Sequence, residues 1–169
     1  AGYVEAVDVN QTLDHALLLV GHLLAHTGIE VVRQLQASTS AGINRQELQR
    51  VVINLLSNAI QAMPHGGTLL LRTQDQSDAQ GRAGVLLEVC DSGAGLSAPV
   101  QAQLFRPFFT TKNEGNGLGL WISLELVERY GGHLVGANRR EREEESEGAV
   151  FSLWVLCEPV AQEIDKRLG

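Results

Sequence analysis

The chain has 169 residues, 44% of them hydrophobic, which suits one domain of ordinary size with a substantial core and leaves no room for a separate catalytic partner domain. Its 13 Lys and Arg against 20 Asp and Glu give a net charge of −7, which argues against nucleic acid and anionic membrane as partners, because phosphate-rich surfaces are held by basic ones. Cys90 and Cys157 lie at the ends of apolar runs without CxxC spacing, so they read as buried free thiols of a reducing compartment, with neither a zinc site nor a disulfide framework.

From the N-terminus, Tyr3 to Val9 reads as an extended lead-in. Leu13, Leu17, Val20 and Leu24 recur at helical spacing and predict one amphipathic helix from Asn10 to about His26. The apolar stretch Ala16 to Ala25 is too short to cross a bilayer, and no signal peptide opens the chain; starting at Ala1 without Met, it reads as a processed or excised segment whose membrane anchor, if any, lies elsewhere. Ile29 to Leu35 reads as a strand and Gln36 to Ile43 as a loop. Asn44, with Glu47 three residues on, predicts a helix cap. Leu48, Val51, Val52, Leu55, Leu56, Ala59, Ile60 and Met63 then mark a helix over Arg45 to Met63 with one face on the core, ended by Pro64-His65-Gly66-Gly67. Thr68 to Thr73 and Val85 to Cys90 predict antiparallel strands joined by the polar hairpin Gln74 to Gly84. Asp91 to Gly117 reads as a long loop with a short helix near Ala98 to Gln103, a length that is unusual unless the loop acts on a ligand. Leu118 to Tyr130 is a helix stopped by Gly131-Gly132. His133 to Ala137 and Ala149 to Leu156 form a strand pair, and the charged run Arg139 to Glu147 between them reads as a solvated hairpin loop. Trp121 and Trp154 follow apolar spacing into the core, and the tail after Pro159 has no assignment.

Three glycine- and asparagine-rich boxes fall in order: Asn54-Leu55-Leu56-Ser57-Asn58-Ala59, Asp91-Ser92-Gly93-Ala94-Gly95, and Gly115-Asn116-Gly117-Leu118-Gly119. A magnesium-bound triphosphate needs oxygen ligands for the metal, close backbone approach and amide donors for phosphate, and the boxes offer these in turn. Asn54 and Asn58 share a helix face with Glu47 and Gln61, away from the apolar stripe, where an amide carbonyl could meet Mg²⁺; alone, the pair also suits a solvated face. Asp91 ends an apolar strand, and its carboxylate could accept a hydrogen bond from the exocyclic amine of adenine, a donor that guanine lacks there. Gly115 to Gly119 runs into a helix, so amides and the helix N-terminus can face phosphate, in neither a Rossmann nor a P-loop pattern. Between the boxes, Phe105, Phe108 and Phe109 read as a hydrophobic anchor, whereas Thr110, Thr111 and Lys112 offer hydroxyls and a cation to the β- or γ-phosphate. His15, His22 and His26 read as surface residues without metal spacing, and neither His65 nor His133 looks catalytic.

In this order the segments resemble the catalytic, ATP-binding domain of bacterial sensor histidine kinases, in the superfamily shared with gyrase-type topoisomerases and heat-shock chaperones. Asn54 to Met63 resembles the N box, Asp91 to Gly95 the first glycine box, Phe105 to Lys112 the F box and Gly115 to Gly119 the second glycine box, so that the resemblance runs from about Val7 to Val155. It implies an α/β (α+β) two-layer sandwich of Bergerat type: a mixed, mostly antiparallel sheet, helices packed on one face, and a long ATP lid from Leu96 to Gly115. It implies one domain over 1–169, with its core at about 7–157, residues 1–6 leading in from an upstream helical hairpin, and 158–169 as a tail.

The implied cofactors are ATP and Mg²⁺. Asn58 is the implied metal ligand and, with Asn54 and Lys112, catalytic. The implied nucleotide site comprises Asn58, Gln61, Ala62, Asp91, Gly93, Gly95, Leu96, Thr110, Thr111, Lys112, Gly115, Asn116, Gly117, Leu118 and Gly119. None of His15, His22 or His26 has the phosphoacceptor context, so the implied substrate histidine sits on the dimerisation and histidine phosphotransfer domain of the same protein, with a response regulator as second partner. The implied setting is cytoplasmic, including the cytoplasmic part of a membrane-bound sensor, without direct contact of this domain with nucleic acid or membrane. Asn54 stands where topoisomerase-like relatives carry a glutamate, and an amide cannot act as a general base, which favours kinase activity over rapid hydrolysis. Asn116 replaces the usual Thr or Ser of its box, and the Pro107 to Lys112 segment looks closest to nitrogen-regulator-type kinases. The alternatives are an anti-sigma-type serine kinase and a nucleotide-sensing module without turnover.

Overall fold

The computed structural model describes residues 3–107, 119–142, 144 and 146–157. In chain order these form β1 (Glu5–Val7), α1 (Val9–Leu19), α2 (Gly21–Leu24), β2 (Ile29–Leu35), β3 (Ala41–Ile43), α3 (Arg45–Gln61), β4 (Gly67–Asp75), β5 (Gly84–Cys90), α4 (Ala98–Gln101), α5 (Gly119–Arg129), β6 (His133–Asn138), a 3-10 turn (Arg139–Arg142) and β7 (Ala149–Leu156). The main sheet has the order β2-β4-β5-β7-β6, with β2 and β4 parallel and every other pair antiparallel.

Strand alternation divides the sheet into two unlike faces. Leu69 and Leu71 of β4, Val85, Leu87 and Val89 of β5, and Phe151, Leu153 and Val155 of β7 join one core with Leu13 and Ala16 of α1, Leu48, Val52 and Leu55 of α3, and Leu126 and Val127 of α5. The helices therefore share one side, and the expected two-layer, mostly antiparallel α+β sandwich is what forms. Asn44 caps α3 as expected, its side chain accepting from the Glu47 amide at 3.0 Å, and α5 stops before Gly131.

Four local expectations need correction. The first helix is not continuous to His26. It ends at Val20 and resumes for one turn at Gly21, where glycine has no helical preference, and exposed His26 turns the chain toward β2 at φ 60°. The expected Gln36–Ile43 loop ends in β3, which pairs antiparallel with β1, Val7 opposite Ala41; a pairing of three residues is too short to leave a periodic signal. The burial expected of the tryptophans and thiols holds for Trp154 and Cys90 but not for Trp121 and Cys157, which are only half-buried. Trp154 packs in a small cluster with Leu86 and Leu156 on the outer sheet face, over Gly84, where its indole N–H donates to the Gln76 carbonyl at 2.8 Å.

The charged run after β6 is the fourth correction, because part of it packs against the protein. Register places Arg72 of β4 opposite Glu88 of β5 on the outer face, and both are largely withdrawn from water. Charges buried there are costly unless paired. The 3-10 turn and its continuation supply the partners: Glu144 accepts from Arg72 and from Arg139, each at 2.8 Å, and Arg142 pairs with Glu88, whose carboxylate also accepts from the Ser152 hydroxyl at 3.1 Å. Arg139 is 8% exposed, whereas Arg140 keeps the expected solvated character.

A second polar tie holds the opposite end of the sheet. Asp75 accepts from the amide and hydroxyl of both Ser38 and Thr39, fastening the β2–β3 connection to β4. These bonds, led by the Ser38 hydroxyl, hold its carboxyl well below the usual value of 3.8. A carboxylate with a lowered folded pKa stabilises the fold above its unfolded pKa, and the effect is lost as pH falls through the folded one. Asp75→Ala should therefore lower the urea midpoint at pH 7, and the gap to the parent should narrow as pH falls below about 4; an undiminished gap at pH 2.5 would refute this tie.

Candidate functional site

The side of α3 away from the core faces a cleft of about 920 Å³, closed by the first turns of α5 and by the segment that leaves β5. Arg50, Asn54, Ser57, Asn58 and Gln61 reach it from α3 because they recur by three and four along one stripe. Ala62 lines it from the helix end, Asp91, Gly95 and Leu96 from the segment after β5, and Gly119 from the start of α5. Residues far apart in the chain are thus gathered at one cavity. Its apolar wall includes Leu104, Leu120, Ile122, Leu126 and Phe151, enough hydrophobic surface to receive an aromatic ring.

Asp91 is the most constrained polar group in this wall. It follows fully buried β5 and is 2% exposed. Its amide donates to the Ala149 carbonyl at 3.0 Å, while its Oδ1 accepts from the amides of Gly93 at 2.9 Å and Ala149 at 3.2 Å. Both amides take Oδ1, so the other carboxylate oxygen carries neither of them. Burial pushes the Asp91 carboxyl above its ordinary value, opposed by these two amides and by the charge of Arg139. Gly148 adopts φ 115°, and a Cβ there would collide with the Asp91 carbonyl oxygen, so only glycine lets β7 begin this close.

Asn54 is held from across the cleft. Its Nδ2 donates to the Oγ of buried Ser123 at 3.1 Å, and a Cβ on Gly119 would lie 2.9 Å from the same nitrogen, so α5 packs directly against the amide. Glu47, expected on the same side, is instead engaged at the near end of α3, where it accepts from the Tyr130 hydroxyl at 2.8 Å.

Asn54, Asn58, Gln61, Ala62, Asp91, Gly95, Leu96 and Gly119 therefore share the cleft, with Gly93 behind Asp91. Thr110, Thr111, Lys112, Gly115, Asn116, Gly117 and Leu118 lie outside the described residues, as do Phe108 and Phe109. Phe105 is partly buried against the core, in keeping with its reading as an anchor. The sequence reading missed Arg50, Ser57, Ser123 and Ala149. Extending the Asn54–Asn58 face by one turn in each direction would have reached Arg50, and following α5 one turn from Gly119 would have reached Ser123; Ala149 carries no local signal.

Among the described residues no helix is long and apolar enough to cross a membrane. Sensor histidine kinase ZraS of Escherichia coli strain K12 is 33% identical over 159 residues, which cover 90% of this chain and 31% of that protein, so the chain spans about a third of the length of that relative. The C4-dicarboxylate transport sensor protein DctB of Rhizobium meliloti is 43% identical over 91 residues, 53% of this chain and 14% of that one. Among solved structures, the catalytic domain of histidine kinase ThkA superposes with a TM-score of 0.78 at 23% identity, covering 92% of this chain and 97% of that one. That likeness establishes the shared fold. The model described as histidine kinase-, DNA gyrase B- and HSP90-like ATPase matches residues 43–159, a span that holds every residue lining the cleft, and the chain belongs to that family.

Proposed function

We propose that this chain is the MgATP-binding catalytic domain of a two-component sensor histidine kinase. It would deliver the γ-phosphoryl group to a histidine on the dimerisation domain of the same protein, for relay to a response regulator. The observation that carries this reading is the convergence of Asn58, Asp91 and the start of α5 on one cleft. Family membership and the similarity to sensor kinases support it.

In this reading the adenine lies against the apolar wall, and the Asp91 oxygen not engaged by Gly93 and Ala149 accepts its exocyclic amine. The phosphates run toward Asn58 and the N-terminal turn of α5, where helix amides favour anions. Asn58 brings a side-chain carbonyl to the cleft, and in this reading that oxygen would be the protein ligand of a cation held otherwise by phosphate oxygens. Bound Mg²⁺ would supply neutralisation of the phosphate charge. Arg50 at the cleft edge adds a cation from this chain.

Lys112, Thr110, Thr111, Gly115, Asn116, Gly117 and Leu118 are assigned to the phosphates on the sequence pattern alone. Asn54, tied to Ser123, orients without acting as a base. The attacking imidazole nitrogen would form the new N–P bond as the bond from phosphorus to the β–γ bridging oxygen breaks, and this chain contributes position and charge balance. A cytoplasmic setting and a domain core over about 7–157 belong to the same proposal.

Calorimetric titration tests the two ends of the cleft separately. Asp91→Asn should weaken ATP, ADP and adenosine binding alike by about 10- to 100-fold, the scale of one hydrogen bond to a buried charged group. Asn58→Ala should weaken MgATP and leave adenosine unchanged. Unaltered MgATP affinity in both variants would overturn the reading.

The carboxylate form of Asp91 is the stronger acceptor, so adenosine affinity should be full above its pKa and fall as pH drops through it. Because burial raises that pKa, the fall should begin at a higher pH than for an exposed aspartate, and Asp91→Asn should remove the dependence. Adenosine is the probe because the phosphates of ATP titrate themselves. Incubation with labelled ATP and a histidine-bearing helical hairpin should give an acid-labile phosphoprotein, whereas an acid-stable product would indicate a serine kinase.

A further inference from the structure

The residue that ends β6 has no part in the boxes, yet its side chain grips the base of the cleft. Asn138 Oδ1 accepts from the Leu96 amide at 2.6 Å and its Nδ2 donates to the Leu96 carbonyl at 2.8 Å. One side-chain amide thus satisfies both main-chain groups of Leu96, as a neighbouring strand would. Gly95 makes room for it: φ there is +82°, and a Cβ would lie 2.6 Å from Asn138 Oδ1.

The next residue secures the other end of the same turn. Arg139 Nη1 donates to the Asp91 carbonyl at 3.2 Å, while the Arg139 amide donates to the Gly148 carbonyl at 2.9 Å. Consecutive residues of the β6 terminus therefore fasten the first and last residues of the Asp91–Leu96 segment. Asp91, Ala94, Gly95 and Leu96 of that segment line the cleft. A further contact continues the attachment outward, where Gln101 of α4 donates to Glu141 of the 3-10 turn at 3.0 Å.

We infer that Asn138 is a positioning residue for nucleotide binding: its amide sets the path of the chain from Asp91 to Leu96, and with it the adenine end of the cleft. This rests on the nucleotide reading above and assigns that site a determinant outside its motifs. Only an amide offers a donor and an acceptor in one fork at this reach. A carboxylate would oppose the Leu96 carbonyl, and a serine hydroxyl is shorter and has one oxygen to serve both groups.

The test uses Asn138→Ala and Asn138→Asp, at a temperature where near-ultraviolet circular dichroism shows both folded. Both should bind ATP, ADP and adenosine about tenfold more weakly than the parent, by the same factor for all three, since the damage lies at the base end. Amide exchange should speed up at Leu96 and stay unchanged at Leu87 in the middle of β5. In Asn138→Asp the deficit relative to the parent should shrink as pH falls, because a protonated carboxyl regains a donor and no longer opposes the Leu96 carbonyl or the Glu141 carboxylate, to which Asn138 Nδ2 also donates at 3.5 Å. Affinities within twofold of the parent would overturn the inference, as would faster exchange at Leu96 and Leu87 together, the mark of general destabilisation. Failure of the parent itself to bind any of the three ligands would instead overturn the nucleotide reading, and this inference with it.

Discussion

A carboxylate at the end of a fully buried strand has to find donors or remain protonated, and most of the site is arranged around the solution adopted by Asp91. Its backbone amide and one carboxylate oxygen form a reciprocal pair with Ala149, the first residue of β7, so side chain and main chain together set where β5 and β7 part. That parting opens the cleft. Gly148 has to be glycine for β7 to start against the Asp91 carbonyl, and Arg139 caps the same carbonyl from the far side. The aspartate proposed to read the purine is thus also the group that closes the sheet beside it, and its pKa is raised by the burial this requires.

The two faces of the sheet answer different demands. The inner face is a continuous apolar surface for α1, α3 and α5, and it holds α3 and α5 close enough for Ser123 to reach Asn54. The outer face carries Arg72 and Glu88 at matched positions, and their partial burial draws the β6–β7 connection back over them. The same connection starts at Arg139, directly after Asn138, and these two residues hold the Asp91–Leu96 segment. One short connection thus supplies both the partners of the outer-face charges and a residue bonded to the segment that lines the cleft.

An overall charge of −7 is compatible with the anionic ligand proposed above because the proposed contacts would be local. Helix amides and a metal carried by that ligand would act over a few ångströms, whereas distant surface carboxylates are screened in salt. The family takes in histidine kinases, DNA gyrase B and HSP90, so membership by itself assigns the fold and leaves the chemistry to the particular groups of the site.

Much of this was legible in the residues. The period of α3, the Asn44 cap, the β4–β5 hairpin and the apolar run of β7 are local patterns, set by which side chains must meet the core within a few residues of one another. Asn54 and Asn58 were visible as a four-residue repeat on the polar face of α3, and Asp91 as the carboxylate that follows an apolar strand. The pairing of β1 with β3, the burial of Arg139, and the reach of Asn138 to Leu96 across 42 positions carried no such mark. Each depends on a contact whose partner is remote in sequence or whose extent is too short to repeat. The amino-acid order by itself determined the elements, the layer each would bury, and the chemistry on offer. Only tertiary structure decided which polar groups would meet, because a hydrogen bond or ion pair is specified by position in space and leaves no period along the chain.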